Sequence, residues 1–577
     1  MADLRRYPIP WQGQNRVRVT LFFLCFLGSG YLSVQVYAET PARVAIATAH
    51  PLATDAGVEI LEQGGNAFDA AAAITATLAV VEPYSSGLGG GGFWLVHQAD
   101  DGKQIMVDGR ETAPARASED TYLDKKGDVI KGASIYGPLA AGIPGIPAGI
   151  EHLVRHYGQL SLAKVLAPAI RHAREGFTVT ERYRKLAGYR LDVLRSYPEA
   201  AAIFLHNNDV PPFGHLIVQD NLAETLELFV RYGAKGFYGG IIAGRLVQGV
   251  RRHGGIWEYN DLTDYAVVER EPIVFNYHDV RIVSAAPPSS GGIVLGQALN
   301  ILENFGLDTL GDITQKHVVI EAMRRAYRDR VVYLGDPDFV TVPVQRLLDK
   351  EYAEGLAQGI DLKRATASTE IGGMGAYAAK GTNTTHFSVI DMEGNRVAAT
   401  LSINLPFGSG YMPVGTGVLL NNEMDDFAVK SLTPNAYGLV GDRANRIEPG
   451  KRSLSSMTPT FLEAGDRIAI LGTPGGSRII SMVLLAVLDF VQHQAPASWV
   501  SLPRYHHQYL PDEVQFEQNG LTHAERAGLQ MLGHTLKEKN RQYGNMQAIM
   551  WWKKKNLVFA ASDPRGEGKA IVLTLTR

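Results

Sequence analysis

Thr384-Thr385-His386-Phe387-Ser388-Val389-Ile390, then Asp391-Met392-Glu393-Gly394-Asn395, then Val397-Ala398-Ala399-Thr400-Leu401-Ser402-Ile403, is the stretch from which the fold is read. Two apolar or alternating runs flank a turn sequence, which is hairpin patterning. With a loop of Glu393 to Asn395, paired residue numbers sum to 788, so Thr384 stands opposite Asn404 and Ser402 lies one diagonal away on the same face. A hydroxyl at the head of such a hairpin is a poor nucleophile without an adjacent base. Scission between Asn383 and Thr384 supplies one on the same residue, because a freed α-amino group titrates at about 7.7–8.0. His386 shares the face of Thr384 and offers a Thr-His dyad instead; a hydrogen-bonded sheet histidine is the commoner meaning of that placement.

Outward from the hairpin, Thr54 to Gly64 reads as a helix stopped by Gly64-Gly65, and Asn66 caps a second, alanine-rich helix to about Val81. That helix is apolar on nearly all sides, so it is expected in a layered core. Gly87 to Gly92 runs into Phe93-Trp94-Leu95-Val96 rather than Gly-Lys-Ser/Thr, so a tight loop entering a strand is expected and a phosphate cradle is not. Ile105 to Asp108 is a short strand ending just before Arg110. Residues from about 145 to 260 are mostly helical, those near 266 to 284 are strand-rich, and a helix from about 314 to 334 carries Arg and Tyr on one side. Residues 365 to 383 show no periodicity and read as an exposed, flexible segment. Strands inside and helices outside imply an α+β body layered helix-sheet-sheet-helix.

The chain has 577 residues, 45% hydrophobic and 20% charged, with a net charge of -3. That suffices for a large core and provides no basic field for nucleic acid. There is no zinc-type Cys/His spacing and no coiled-coil heptad. Arg5, Arg6, Arg16 and Arg18 precede an apolar run from Val19 to Leu32, and Val36-Tyr37-Ala38 offers a peptidase site before Glu39. Residues 1–38 are therefore expected to be a signal peptide of a periplasmic or secreted protein. The strongly apolar part is shorter than the roughly 20 residues of a membrane span, so stable insertion is not expected. The single cysteine, Cys25, lies in that segment. The mature protein then has neither disulfide nor thiol nucleophile.

Thr384 to Val389, Gly394-Asn395, Thr400, Ile403-Asn404 and Phe407-Gly408 resemble the small-subunit signature of the γ-glutamyltranspeptidases (glutathione hydrolases), which belong to the N-terminal nucleophile hydrolases. Asn421 to Phe427, Lys451 to Met457 and Gly472 to Arg478 continue the likeness. So do Asp108 to Pro114, Gly142 to Gly145, His506-His507-Gln508 and Ala561 to Arg565. It spans essentially the whole mature chain.

The resemblance implies a four-layer αββα sandwich, self-cleaved into interlocked large (39–383) and small (384–577) subunits, with the cut between Asn383 and Thr384. Thr384 would then take a γ-glutamyl group from glutathione or a related amide and pass it to water or to an amino-acid or peptide amine. No cofactor or metal is needed. Arg110 would fork onto the donor α-carboxylate; a salt bridge to Glu111 or another acid is its equal alternative on residue grounds. Ser455 and Ser456 would donate to the same carboxylate, though a serine pair alone suggests a turn. Glu423 and Asp426 would accept from the donor ammonium with Asn404 assisting, though acids beside a turn are usually solvated. Gly475 and Gly476 would present N–H groups to the oxyanion. Tyr437 matches a lid tyrosine, against an ordinary exposed loop aromatic.

Two departures stand out. Ser402 occupies a position usually held by Thr; it keeps the oxygen but loses the methyl that stiffens the rotamer, so slower processing is expected. Residues 566–570 also drift. Two other readings compete: a related amidase, cephalosporin-acylase-like or acting on polyglutamate, and an uncleaved, inactive periplasmic binding relative.

Overall fold

The computed structural model describes residues 39–372 and 384–575. The expected signal peptide, Asn383 and most of the segment read as flexible lie outside the described residues. Among those described, no helix is long and apolar enough to cross a membrane.

Two antiparallel sheets form the centre. The first runs, in spatial order, Lys569–Leu573, Val44–Thr48, Thr385–Ile390, Arg396–Ser402, Gly91–His97, Gln104–Gly109 and Val268–Arg270. The second runs Leu557–Ser562, Gln547–Trp552, Arg467–Gly472, Thr460–Glu463, Val280–Ser284 and Ile273–Tyr277. Alternation along each strand of the first sheet explains the layering. Phe93 and Leu95 pack with the second sheet and with helices Gly291–Leu302, Asp312–Tyr333 and Ile479–Val491. Trp94 and Val96 point the other way, into helices Pro51–Glu62, Ala67–Val81, Ile146–His156 and Leu162–Glu175. The expected helix-sheet-sheet-helix body is therefore present. Its first sheet interleaves strands from before and after position 384, so neither stretch completes that sheet alone.

The helix start at Asn66 is a full capping box: its side chain accepts the N–H groups of Phe68 and Asp69, and Asp69 returns to the Asn66 N–H. Ala67–Val81 is buried along its whole length, as its all-round apolar sequence requires.

Two expectations need correction. The hairpin register is set by Leu401 opposite Thr385 and Arg396 opposite Ile390, two residues away from the expected pairing. The cause is Asp391, whose Oδ1 accepts the N–H groups of Glu393, Gly394 and Asn395, each at 3.0 Å. It rolls the turn into a five-residue loop that closes at Ile390 and Arg396. A slip of two keeps every side chain on its face but puts Ser402, not Asn404, across from the Thr384 position. The second correction concerns residues 365–372. Ser368 is buried, its N–H donating to Asp512 Oδ2 at 2.7 Å and its hydroxyl to the Tyr509 carbonyl at 2.7 Å. Arg324 also donates to the Ser368 hydroxyl, at 2.9 Å.

Candidate active site

Thr384 is 4% exposed at the start of a buried strand. It shares one cavity with Arg110, Ser402, Asn404, Glu423, Asp426, Tyr437, Ser455, Ser456 and Gly476. The cavity volume is only ≈ 20 Å³, room for about one water molecule. Of the site residues expected within the described chain, Gly475 alone is absent from this wall. It borders a neighbouring cavity of ≈ 310 Å³ lined also by Arg182, Lys185, Arg541 and Arg565.

His386 is a weak base held by its neighbours in the sheet. It is fully buried, with Nδ1 2.8 Å from Thr400 Oγ1 and Nε2 3.3 Å from Ser388 Oγ. Burial pushes it down to about 3, so it is the neutral sheet histidine of the alternative reading.

Arg110 sits at the end of the strand Gln104–Gly109, positioned by main-chain bonds. Its N–H donates to Asp108 Oδ1 at 2.9 Å and its carbonyl accepts the Tyr265 hydroxyl at 2.8 Å. Its guanidinium, 1% exposed, meets Glu423 at 2.7 Å, Asp426 at 2.6 Å and Glu111 at 3.6 Å. The salt-bridge alternative thus holds in the uncut chain, and the acids expected to receive an ammonium are engaged by Arg110. Burial alone would lower the Arg110 pKa, but the three carboxylates outweigh it and raise it. Burial pushes Glu111 well above the usual carboxylate range, aided by the charge of Glu423. Among the described residues, both Glu111 oxygens lack hydrogen-bond partners. Burial pushes Glu423 up to about 7 against the downward pull of Arg110. The 2.7 Å contact with Arg110 favours the charge on Glu423 over Glu111, which lies 3.6 Å from that guanidinium.

Ser402 Oγ accepts the Asn404 N–H at 2.7 Å, and its hydroxyl draws the Glu423 carboxyl down in part against burial. Asn404 leaves the strand at φ +69°. Its Nδ2 donates to the Asn422 carbonyl at 2.8 Å, while its buried Oδ1 has no partner among the described residues. Asn421 braces the acidic turn: its Oδ1 accepts the N–H groups of Gly142 and Glu423, and its Nδ2 donates to the carbonyls of Gly89 and Gly142.

Of the segment around Tyr437, Leu432 to Ala436 are half-buried and Tyr437 to Val440 are buried. Tyr437 is 4% exposed and donates its hydroxyl to the Asn404 carbonyl at 2.7 Å. Asn435 Nδ2 donates to Asp426 Oδ1 at 2.9 Å, and Asp425 Oδ2 accepts the Ala436 N–H at 2.8 Å. A Cβ on Gly476 would lie 2.4 Å from the Tyr437 ring, and its φ of +59° independently calls for glycine. Gly475 adopts φ +153°, and a Cβ there would strike Met482 at 2.5 Å. Among the described residues neither N–H has an acceptor. Gly476 also begins the turn leading into helix Ile479–Val491, so the positive end of that helix borders the cavity.

Two residues escaped the sequence reading. Asp425, buried and pushed up to about 6 by burial, fastens the covering segment. Arg330 reaches Ser456 from the helix Asp312–Tyr333; its only sequence signal was the arginine-rich side of that helix. One grouping of metal-ligand spacing occurs among the described residues, His317, Glu321 and His534. There the two histidines hydrogen-bond each other at 2.7 Å and Glu321 is already paired with Arg324 and Arg325, whose charges oppose a cation.

A sequence profile for the family described as Gamma-glutamyltranspeptidase matches residues 53–573. The glutathione hydrolase proenzyme of Escherichia coli (strain K12) is 41% identical over 527 residues, spanning 90% of this chain and 90% of that protein. Cephalosporin acylase from Bacillus halodurans aligns with a TM-score of 0.81 at 27% identity, covering 95% of this chain and 99% of its own. Helicobacter pylori gamma-glutamyltranspeptidase gives a TM-score of 0.55 at 41% identity, covering 56% of this chain and 93% of its own.

Proposed function

The chain belongs to the gamma-glutamyltranspeptidase family, and from that premise we propose how its residues carry out a self-processing γ-glutamyltransferase and glutathione hydrolase reaction. Thr384 Oγ attacks the Asn383 carbonyl, and the leaving nitrogen becomes the Thr384 α-amine. Water hydrolyses the resulting ester, separating subunits of 39–383 and 384–577. Residues 1–38 direct export to the periplasm or beyond and are removed.

In the mature enzyme the α-amine takes the Thr384 hydroxyl proton as the oxygen attacks the γ-carbonyl of glutathione. The N–H groups of Gly475 and Gly476 receive the oxyanion, and loss of one such donor typically lowers the rate about 10²–10³-fold. Collapse expels the amine with a proton and leaves a γ-glutamyl ester on Thr384. Water or the amine of an amino acid or peptide then accepts the acyl group.

The donor's zwitterionic end selects the remaining residues. Its carboxylate pairs with Arg110 and the hydroxyls of Ser455 and Ser456. Its ammonium takes over Glu423, Asp426 and the unpartnered Asn404 Oδ1. Donor binding is thus an exchange of ion pairs: the intramolecular Arg110 contacts at 2.6 and 2.7 Å yield to contacts with a ligand of both signs. The ≈ 20 Å³ cavity requires the Tyr437 segment to move before a donor enters.

The observation that carries this reading is the convergence of Thr384, Arg110, Glu423, Asp426 and the two serines on one cavity. The likeness to cephalosporin acylase keeps an amidase reading in play. Comparison of γ-glutamyl-p-nitroanilide with glutaryl-p-nitroanilide separates the two, because the glutaryl group lacks only the ammonium. The γ-glutamyl donor is expected to be strongly preferred; preference for glutaryl would assign the amidase.

A further inference from the structure

The turn from Ser453 to Ser456 is held between two buried arginines, and only one of them is neutralised. Arg110 Nε donates to the Ser453 carbonyl at 3.2 Å and faces three carboxylates. On the other side Arg330, 3% exposed, donates through Nε to Ser290 Oγ at 3.0 Å and through NH2 to Ser456 Oγ at 3.4 Å. Ser290 in turn binds the Ser455 carbonyl twice, from its N–H at 2.8 Å and its hydroxyl at 2.7 Å. Among the described residues Arg330 makes no ion pair. Burial lowers it to about 10, against the attraction of Tyr327 and Asp426 and with the repulsion of Arg110, which leaves it protonated at neutral pH.

The direction of these hydrogen bonds matters. Ser456 Oγ accepts from Arg330, so its own proton is available to another acceptor. Ser455 Oγ accepts the Met457 N–H at 3.1 Å, which leaves its proton available too. Both serines line the Thr384 cavity. The arrangement presents two hydroxyl donors backed by a buried positive charge that lacks a counter-ion, and such a charge favours an anion at the serines.

Resting on the reading above, in which these serines hold the donor carboxylate, we propose that Arg330 is the positioning residue that makes the site select donors bearing an α-carboxylate. It acts through Ser456 and, by way of Ser290, through Ser455. It orients the Ser456 hydroxyl, fixes the Ser455 main chain and adds the charge that the carboxylate completes.

The test uses two donors, γ-glutamyl-p-nitroanilide and 4-aminobutyryl-p-nitroanilide, which is the same group without the α-carboxylate. In Arg330→Gln, KM for the γ-glutamyl donor should rise about tenfold or more, the range for a lost hydrogen bond to a charged group, with kcat little changed. Turnover of the 4-aminobutyryl donor should stay near wild type. Arg330→Lys, which keeps the charge, should recover part of the preference. Equal loss for both donors, or no loss for either, overturns the proposal. Should Arg330→Gln not fold, Ser290→Ala reads the same claim, since it releases the guanidinium Nε. A reduced preference supports the proposal and an unchanged preference overturns it. If the wild type itself does not discriminate between the two donors, the underlying carboxylate assignment fails instead.

Discussion

The Tyr437 hydroxyl donates to the Asn404 carbonyl at 2.7 Å while its ring lies against Gly476. One side chain therefore ties the covering segment to two walls of the Thr384 cavity. Removing the hydroxyl should loosen that cover by the worth of a neutral hydrogen bond, about 1 kcal/mol. Tyr437→Phe is expected to admit water more readily, raising the share of hydrolysis over transfer about fivefold. Product analysis with γ-glutamyl-p-nitroanilide and glycylglycine reads the ratio directly; an unchanged ratio would mean the hydroxyl does not hold the cover.

Ser402 stands across the ladder from the Thr384 position and accepts the Asn404 N–H at 2.7 Å. Ser402→Ala removes that acceptor and the hydroxyl that draws Glu423 down, and should slow self-cleavage about tenfold or more. Ser402→Thr restores a methyl that restricts the rotamer and should cleave faster than wild type. A time course on denaturing gels after induction distinguishes the three; identical rates would remove Ser402 from the processing step.

Protonation of the acid cluster makes a contrast between neighbours. Glu111 is held neutral by burial, so Glu111→Gln should leave donor turnover within about threefold. Glu423 contacts Arg110 at 2.7 Å, which favours its charged form, and Glu423→Gln should lower kcat/KM about tenfold or more. Steady-state kinetics on both variants provide the check, and equal loss would mean that the proton does not reside on Glu111.

Acid sensitivity is expected from Glu321, which is fully buried. Burial opposes its charge, but Arg324, Thr366 and Arg325 overcome this and bring it from 4.5 down to about 2. A depressed carboxyl pKa stabilises the fold above the unfolded value and loses that contribution as pH falls from about 4.5 to about 2. The contribution is on the order of 3 kcal/mol. Urea unfolding of wild type and Glu321→Gln should differ by about that much at pH 7 and converge toward pH 2; a gap independent of pH would contradict the assignment.

Much of this was legible before any coordinates, for local reasons. The Asn66 cap, the alanine helix and the hairpin at Thr384 are written in short-range pattern. The Thr384 neighbourhood was legible through the order of its sequence blocks, and the structure brings Arg110, Glu423, Asp426 and both serines to one cavity. What escaped depends on long-range docking. The hairpin register turned on which N–H groups the Asp391 carboxylate would collect. Arg330 lies on a helix whose polar side looks solvent-facing until the helix Gly291–Leu302 and the Ser453–Ser456 turn cover it. Arg110 pairing with Glu423 and Asp426, rather than standing open, follows from burying opposite charges together in an uncut chain.

The most direct test of the central claim is N-terminal sequencing, with intact mass, of catalytically active protein. The account requires a chain that begins Thr-Thr-His at position 384 and a separate chain ending at Asn383, both lost together with activity in Thr384→Ala. Full activity in a single uncut chain, or turnover retained by Thr384→Ala, would contradict it.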